Sequence, residues 1–519
     1  MKNNTSKKIK RLALVLLMVI LVSLSIFFVE NAAKNEGFNN IFDAIWYMLV
    51  TLSTVGYGDI YPKTIIGRLL ASVLVILTPV ILIYILNVIW DLLAGNIILR
   101  LYLSKKNHWY IFDELNNESK RVIDSVLLNK NNDYIVVCKS VNKEVEYLSN
   151  EYIDNKKVFN IDLEYSYFIK KNSEVKIFLI SKGNDADKLA KAKSIENKVH
   201  ELNKNVNIYV TSNMHFDYIS NNIHVFNVYK AIAQSLINEF NKEFKDENII
   251  LAGEGEIFEY IFEKLIINNV YNNNQMNEYY IVENSENFKK KHYKILDYIN
   301  NTEKESFRDK IILINDLYDR TILGKANTIL LCYEDNKNIE ILNDINKYFN
   351  NHANIYIKYL NNIDIQIDRI KFFGNNEEIF TYDKIVNESL YDNAKKLNDK
   401  YKKMYGGKGW EELESFKKES NIASCNHLNV KMRIVDEMTS NKEDSYINKY
   451  NNLSKEEKIK LYEIEHERWS RFHYIYNWEY AEKRNDADRK HNLLIPFDKL
   501  SEEDKVKNEQ SYMPLSANE

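Results

Sequence analysis

Cysteine is scarce in this 519-residue chain. Cys138, Cys332 and Cys425 stand far apart, mostly within apolar strand-like runs, so neither a disulfide framework nor a zinc-ligand cluster is indicated. Charge of one sign is also missing. A formal net charge of −4 gives no reason to expect nucleic acid as a partner. No nucleophile lies in a pattern with a general base, so the chain is not read as an enzyme. Most of it is expected to be cytosolic, with room for roughly three or four domains. The abundance of Asn, Lys and Ile is a background compositional bias and carries no functional message.

Two long apolar runs stand out against this background. Leu12 to Val29 and Leu69 to Trp90 are uncharged, and each is long enough as a helix to cross a bilayer core of about 30 Å. A signal peptide is the rival reading of the first run, but no convincing small-residue cleavage site follows it, and a second run does. Lys7, Lys8, Lys10 and Arg11 precede the first run, and Arg100, Lys105 and Lys106 follow the second. Both ends are therefore expected in the cytoplasm of a multi-pass protein of the inner (plasma) membrane.

Between the runs, Ile41 to Ser53 reads as a short helix whose carbonyl end faces the next six residues, Thr54-Val55-Gly56-Tyr57-Gly58-Asp59. Consecutive carbonyls facing one axis can replace the water around a potassium ion, and TVGYG is the loop that does this in potassium channels. Gly56 and Gly58 suit a backbone closed to residues with a Cβ. The Thr54 hydroxyl can add an oxygen ring, while Val55 and Tyr57 would point away and brace the loop. K+ is expected at Thr54, Val55, Gly56 and Tyr57. With one such loop per chain, four chains must surround the ion, which implies a homotetramer. Trp46 and Tyr47 are expected to pack around the loop. No run carries regularly spaced arginines, which excludes a voltage sensor.

Thr78-Pro79 interrupts the second run, where proline removes a helix hydrogen bond. Either a hinge for a gate or a static kink fits. Tyr84, Asn87, Val88 and Asp91 recur at helical spacing. Asp91 could concentrate cations at an inner mouth or be a plain interfacial aspartate. Residues 10 to 100 resemble the pore module of two-span prokaryotic potassium channels, with Thr78-Pro79 where many relatives have a hinge glycine.

After the pore, short strands alternate with amphipathic helices. The first set of strand-like runs is His108–Phe112, Tyr134–Val137, Val158–Ile161, Lys176–Ile180, Asn207–Val210 and His224–Phe226. The second is Ile249–Ala252, Tyr279–Val282, Ile311–Ile314, Thr328–Cys332, Ile355–Ile357 and Ile379–Phe380. Two sets of six imply tandem doubly wound units, and the arrangement resembles the paired RCK (regulator of potassium conductance) domains below such pores. The first unit has no glycine after its first strand (Asp113-Glu114-Leu115), so no phosphate cradle is expected there. The second has Gly253-Glu254-Gly255, with Phe258 in the third glycine's place and Glu283 positioned for a ribose hydroxyl. A weak nucleotide site or a ligand-free scaffold both fit.

Helical stretches flank Gly406-Gly407-Lys408-Gly409, and charged runs such as Lys402-Lys403 and Lys417-Lys418-Glu419 read as solvated helix faces of a linker. Glu463, His466 and His473 lie near one helix face, with structural histidines weighed above a metal. The last 60 or so residues contain Glu465-His466-Glu467-Arg468-Trp469, Asn477-Trp478-Glu479-Tyr480-Ala481-Glu482-Lys483-Arg484 and His491-Asn492-Leu493-Leu494-Ile495-Pro496. These motifs resemble the ryanodine-receptor-type (RyR) repeat, with Asn477, Ala481 and Asn492 at places where family members usually have glycine, glycine and proline. The resemblance implies a ligand site at His466, Trp469, Trp478, Tyr480, Arg484 and His491 for a small nucleotide-like ligand, in a setting such as antiphage defence signalling. The two tryptophans could instead form the core of a small module.

The expected architecture is a membrane α-helical pore (1–103) with two transmembrane helices and a pore helix. Tandem Rossmann-like α/β doubly wound domains (104–245 and 246–390), a helical linker (391–455) and a small α-helical RyR-type domain (456–519) follow. The expected function is passive K+ conduction under control of the ligand. A subunit of a potassium uptake system and a non-conducting nucleotide sensor are the alternatives.

Overall fold

The computed structural model describes residues 2–76, 78–79, 82–84, 86, 108–128, 134–146, 152–153, 158–160, 165, 173–199, 205–214, 216, 219–240, 248–283, 285–301, 303–349, 352–360, 368–439 and 444–512. They fall into two units, Met1–Asn107 and His108–Glu519. Asn87, Val88, Asp91, Arg100, Lys105 and Lys106 lie outside the described residues.

In the first unit, α1 (Lys2–Ala32), with side chains described from Leu17 onward, precedes α2 (Ile41–Leu52). Asn40 starts α2: its Oδ1 accepts from the Phe42 and Asp43 amides, and Asp43 accepts back from the Asn40 amide. That reciprocal cap satisfies donors a helix start leaves open. Residues 65–76, 78–79, 82–84 and 86 are helical. The Thr78 hydroxyl donates to the Leu74 carbonyl at 2.8 Å, the back-bond that often accompanies a bend. Phe38, Ala44, Tyr47 and Leu74 share a small core with Val19 and Ile26. Glu30, fully buried, accepts from the Lys63 and Thr64 amides, the Thr64 hydroxyl and Asn35 Nδ2. A Cβ at Gly67 would collide with that carboxylate. Glu30 thus ties the end of α1 to the start of the next helix. Among the described residues no helix is long and apolar enough to cross a membrane.

The second unit contains two six-stranded sheets, parallel throughout. The first is built from β1 (His108–Phe112), β2 (Tyr134–Cys138), β3 (Val158–Asn160), β4 (Glu174–Leu179), β5 (Val206–Ser212) and β6 (Ile223–Asn227), in the order β3-β2-β1-β4-β5-β6. The second is built from β7 (Asn248–Gly253), β8 (Glu278–Val282), β9 (Lys310–Leu313), β10 (Thr328–Cys332), β11 (Asn354–Lys358) and β12 (Ile370–Phe373), in the order β12-β11-β10-β7-β8-β9. Each is the doubly wound order, written from opposite edges. Central strands such as Thr328–Cys332 are buried at every position, as a parallel sheet covered on both faces requires.

One expected strand is wrong. Ile379 ends a short helix, Asn376–Ile379, that Asn375 caps through the Glu377 amide, and the sixth strand is instead Ile370–Phe373. A pair of apolar residues has no period, so the capping asparagine outweighs it. The two sheets join through α3 (Val228–Phe240) and α4 (Gly255–Asn268), whose Ala231, Ile232 and Leu236 share one core with Ile257, Ile261 and Leu265.

The segment expected to be a linker is folded. Helices α5 (Asp392–Tyr405) and α6 (Ser415–Asn426) bury Ala394, Trp410 and Ile422 together. Glu419, expected on a solvated face, is an ion-pair partner of Lys230, both side chains being under 15% exposed. A run of charges does not reveal a partner 189 residues away.

The carboxy-terminal segment is dominated by α7 (Lys455–Ile475), whose Ser454 cap and Glu457 form a second capping box. Its final turns are buried, charges included. Arg471, with no exposure, donates to Glu467 at 2.9 Å, to Asp309 at 2.7 Å and to the Ile266 carbonyl at 3.3 Å. Glu467 also accepts from Lys304 at 3.0 Å and from the Tyr298 hydroxyl. Burial pushes the Glu467 carboxyl up, but Lys304 and Arg471 outweigh it and hold it down at about 2. Arg471→Met would leave Asp309 without its cation and Glu467 with Lys304 alone, and breaking one side of such a network costs about 3–5 kcal/mol. Hydrogen exchange should therefore accelerate across residues 455–475 in that variant. The depressed carboxyl contributes stability that is complete above its ordinary value of 4.5 and disappears as pH falls from there towards about 2. In the wild type the same segment should lose protection across that window. Unchanged protection in both experiments would show that the network does not hold α7.

Candidate functional site

The loop 54–59 follows α2 directly. Thr54, Gly56 and Gly58 have φ of +59°, +59° and +74°, and the Val50 carbonyl accepts from the Val55 and Gly56 amides. A β-branched residue in the left-handed region is an outlier that the surroundings must enforce. Part of that enforcement comes from Trp46. Its ring stacks on Tyr57 with centroids 6.0 Å apart and 1° between planes, and its indole N–H donates to Asp59 at 2.8 Å. Tyr47, expected beside the loop, instead packs edge-on against Phe38 in the small core. A Cβ at Gly56 or Gly58 would meet nothing within 4 Å, so the requirement for glycine there is conformational rather than steric.

In the second unit, a cavity of about 720 Å³ lies among α4, α6, α7 and the loops after α7. Its volume falls within the range of small-molecule sites, about 300–1,000 Å³. One wall is aromatic. Trp469 packs against His473 at 4.0 Å and His491 at 4.9 Å, while Trp478 stacks on Phe416 at 4.8 Å. Trp478 is 4% exposed and Trp469 is half-buried. Burial holds both imidazoles neutral, lowering His473 to about 3 and His491 to about 4. His473 Nδ1 faces the Trp469 carbonyl and therefore donates, whereas His491 Nδ1 accepts from the Leu493 amide. By that assignment His473 Nε2 is an acceptor and His491 Nε2 a donor.

Of the residues expected to hold a ligand, Trp469, Trp478, Arg484 and His491 line this cavity, and His466 and Tyr480 do not. His466 Nε2 contacts the Ile495 carbonyl at 2.8 Å, and Tyr480 is 52% exposed in the short β13 (Glu479–Tyr480), paired with β14 (Lys490–His491). Arg484 is held by both oxygens of Asp486. Glu463 hydrogen-bonds Asn273, so Glu463, His466 and His473 each serve a different neighbour. Among the described residues no group of three His, Cys, Asp or Glu side chains could hold a metal ion.

The opposite wall was not foreseen. Lys230 of α3, Glu256, Tyr260, Glu263 and Lys264 of α4, and Phe416 and Glu419 of α6 all face the cavity. The spacing of Glu256, Tyr260, Glu263 and Lys264 marks one helical face, a signal present in the sequence but uninformative without the partner wall.

At the first Rossmann-like turn the chain's own groups fill the end of the strand. Asp113, at the end of β1, accepts from the Ile180 amide, the Ser181 hydroxyl and Lys191. In the second unit a Cβ at Gly253 would lie 2.7 Å from the Cys332 Cβ and 3.0 Å from Phe258. Gly255 takes φ +71° with open space beyond it, and Glu283 caps the Ser285 amide.

Residues 14–94 match the family model of an ion channel, and residues 455–515 match that of the RyR domain. Over 66 residues the chain is 39% identical to a voltage-gated potassium channel of Aeropyrum pernix, a match taking in 13% of this chain and 22% of that one. Over 54 residues it is 44% identical to the human potassium voltage-gated channel subfamily A member 6, covering 10% of each. The chain thus spans about a tenth to a fifth of the curated relatives it matches. Two solved structures of the GsuK channel align at low similarity. The one bound to NAD has a TM-score of 0.34 and 11% identity over 75% of this chain and 86% of that one. The one bound to ADP has 0.34 and 12% over 73% and 96%. Residues 14–94 are thus similar to ion channels, potassium channels among them, and residues 455–515 to the RyR domain.

Gly253→Val should destabilise the second parallel-sheet domain by about 1–3 kcal/mol through overpacking, with no selective effect on nucleotide binding. Isothermal titration of the full chain checks this. A dinucleotide bound by wild type and lost only on Gly255→Val would show a phosphate site at this turn.

Proposed function

We propose that this chain is one subunit of a homotetrameric potassium channel of the plasma membrane, and that a small nucleotide-type ligand in the 720 Å³ cavity biases its gate. The observation that carries this reading is the make-up of that cavity. Trp469, His473, Trp478 and His491, from the segment matching the RyR domain, share one space with Tyr260 and Lys264 of the second parallel-sheet domain. A ligand there touches both parts, and it shifts a gating equilibrium by the difference in how tightly open and closed forms hold it. Planar rings stack on tryptophan, and the neutral His473 and His491 offer one acceptor and one donor to a heterocycle's edge.

On the pore side, the left-handed residues 54, 56 and 58 and the Trp46 brace support a carbonyl row holding K+ at Thr54, Val55, Gly56 and Tyr57. Ile65, Leu69 and Ile76 are each at least 64% exposed, and Phe28 65%. Large apolar side chains left open on one chain suit a lipid bilayer and neighbouring subunits. Two spans, Leu12–Val29 and Leu69–Trp90, would place both ends in the cytoplasm, with Thr78-Pro79 as hinge and Asn87 and Asp91 near the inner mouth. Passive conduction needs no catalytic step. The functional parts we assign are the pore at 1–103, the sheet domains at 104–245 and 246–390, and the sensor at 456–519, with 391–455 forming part of the cavity wall.

Potassium flux in proteoliposomes tests both halves. Gly58→Ala, with its Cβ forced against a positive φ, should abolish flux while tetramers persist on gel filtration; undiminished potassium-selective flux would sink the filter assignment. Trp469→Ala should leave maximal flux intact and shift the response to an activating nucleotide by roughly 5- to 150-fold in concentration, the equivalent of one lost stack. An unshifted response would move the sensor away from this cavity.

A further inference from the structure

Of the cavity's cationic side chains, Lys417 of α6 lies exposed and most of the others are held by partners. Lys230 is paired with Glu419, Lys291 with Glu259 and Arg484 with Asp486, while Arg489 donates to the Tyr476 carbonyl. Lys264 is different. It is 8% exposed, it lines the cavity from α4, and its ammonium makes no hydrogen bond or salt bridge among the described residues. A lysine so far removed from water without a partner is costly. Burial, then the opposing attraction of Glu419 and the repulsion of Lys230, leaves it lowered to about 8. Glu263, its neighbour on the same wall, is raised to about 7, again chiefly by burial.

Resting on the assignment of the ligand to this cavity, we infer that Lys264 is an anion-recognition residue. The ligand it selects carries one phosphate group beside a planar heterocycle. The heterocycle belongs at the aromatic wall of Trp469 and Trp478, and the phosphate at the α4 wall. Charge sets the limit on phosphates. Glu256, Glu259, Glu263 and Glu419 share that wall with Lys230, Lys264 and Lys291, and Lys230 and Lys291 are each paired within it, so the one buried ammonium left over on that wall matches one anionic group, while further phosphates meet the carboxylates beside it. Specificity then arises from repulsion as much as from attraction. The second parallel-sheet domain thereby has a ligand-reading role on the outer face of α4, separate from the turn at Gly253 and Gly255.

Binding of adenosine, AMP and ATP to the full-length tetramer in nanodiscs, followed by tryptophan fluorescence, provides the test. Wild type should bind AMP at least 10-fold more tightly than adenosine and more tightly than ATP. Lys264→Met should remove that preference, weakening AMP by about 10- to 100-fold, with adenosine unchanged. Lys264→Arg should retain most of the preference. No binding of AMP by wild type, equal binding of adenosine and AMP, or an intact preference in Lys264→Met would overturn the inference. Trp469→Ala separates this from the wider reading. If it weakens all three probes while Lys264→Met changes nothing, only the role of Lys264 fails; if neither variant changes binding, the cavity assignment fails with it.

Discussion

The buried charge network on α7 is the constraint on which the second unit depends. Arg471 has no exposure and three protein partners, one of them Asp309, 162 residues away in sequence. A guanidinium out of water is costly unless its charge is paired, so this pairing restrains both the rotation and the height of the helix. One residue pair along, Arg468 grips Glu465 with two hydrogen bonds at 3.0 and 2.9 Å, and Lys431 reaches the same carboxylate at 2.8 Å. With those two faces pinned, Trp469 and His473, four residues apart, are presented on the remaining face towards the cavity. The motif that resembles the RyR repeat thus divides its labour. Glu465, Glu467 and Arg468 hold the helix, and Trp469 is left facing the cavity.

The first unit solves a comparable problem with a carboxylate. Glu30 is fully buried yet surrounded by four donors, two of them backbone amides, a geometry that stabilises its charged form. It links the end of one apolar run to the start of the next helix and leaves no room for a side chain at Gly67. Between those helices the loop 54–59 has three left-handed residues, only two of them glycine. Local strain at Thr54 is offset by the Val50 carbonyl, the stacking of Tyr57 on Trp46 and the Trp46 to Asp59 hydrogen bond. The brace and the loop are adjacent in sequence, which is why a single stretch of residues suffices to recognise both.

That adjacency explains what was legible beforehand. Strand runs such as Thr328–Cys332 are short apolar segments between polar ones, and their repetition in two sets of six discloses the tandem sheets without any long-range information. Asn477 is a subtler case: it stands where relatives carry glycine, and it adopts φ +57°, a conformation asparagine tolerates better than most residues with a side chain. An asparagine thus suffices for the left-handed turn here. The cavity was only half legible. Its aromatic wall lies within one motif, but Lys230, Lys264, Phe416 and Glu419 come from three segments whose proximity depends on tertiary packing. Periodicity placed Lys264 and Glu419 on helices without indicating that either would be buried.

The walls of the cavity are not held equally. α7 cannot shift against the second sheet without separating Arg471 from Asp309 and Glu467 from Lys304, each a desolvated ionic contact. α6 is held to α3 by Lys230 with Glu419 and by the reciprocal amide pair of Gln234 and Asn426, and it is preceded by the glycine-rich turn 406–409, where Gly406 and Gly407 both have positive φ. Neutral amide pairs contribute less than charge-assisted ones, and glycines lower the cost of changing a backbone path. α7 is thus tied to its surroundings by three buried ionic contacts, and α6 by one together with an amide pair. Under the proposed function, a ligand there shifts a gating equilibrium only by the difference in how tightly the two states hold it.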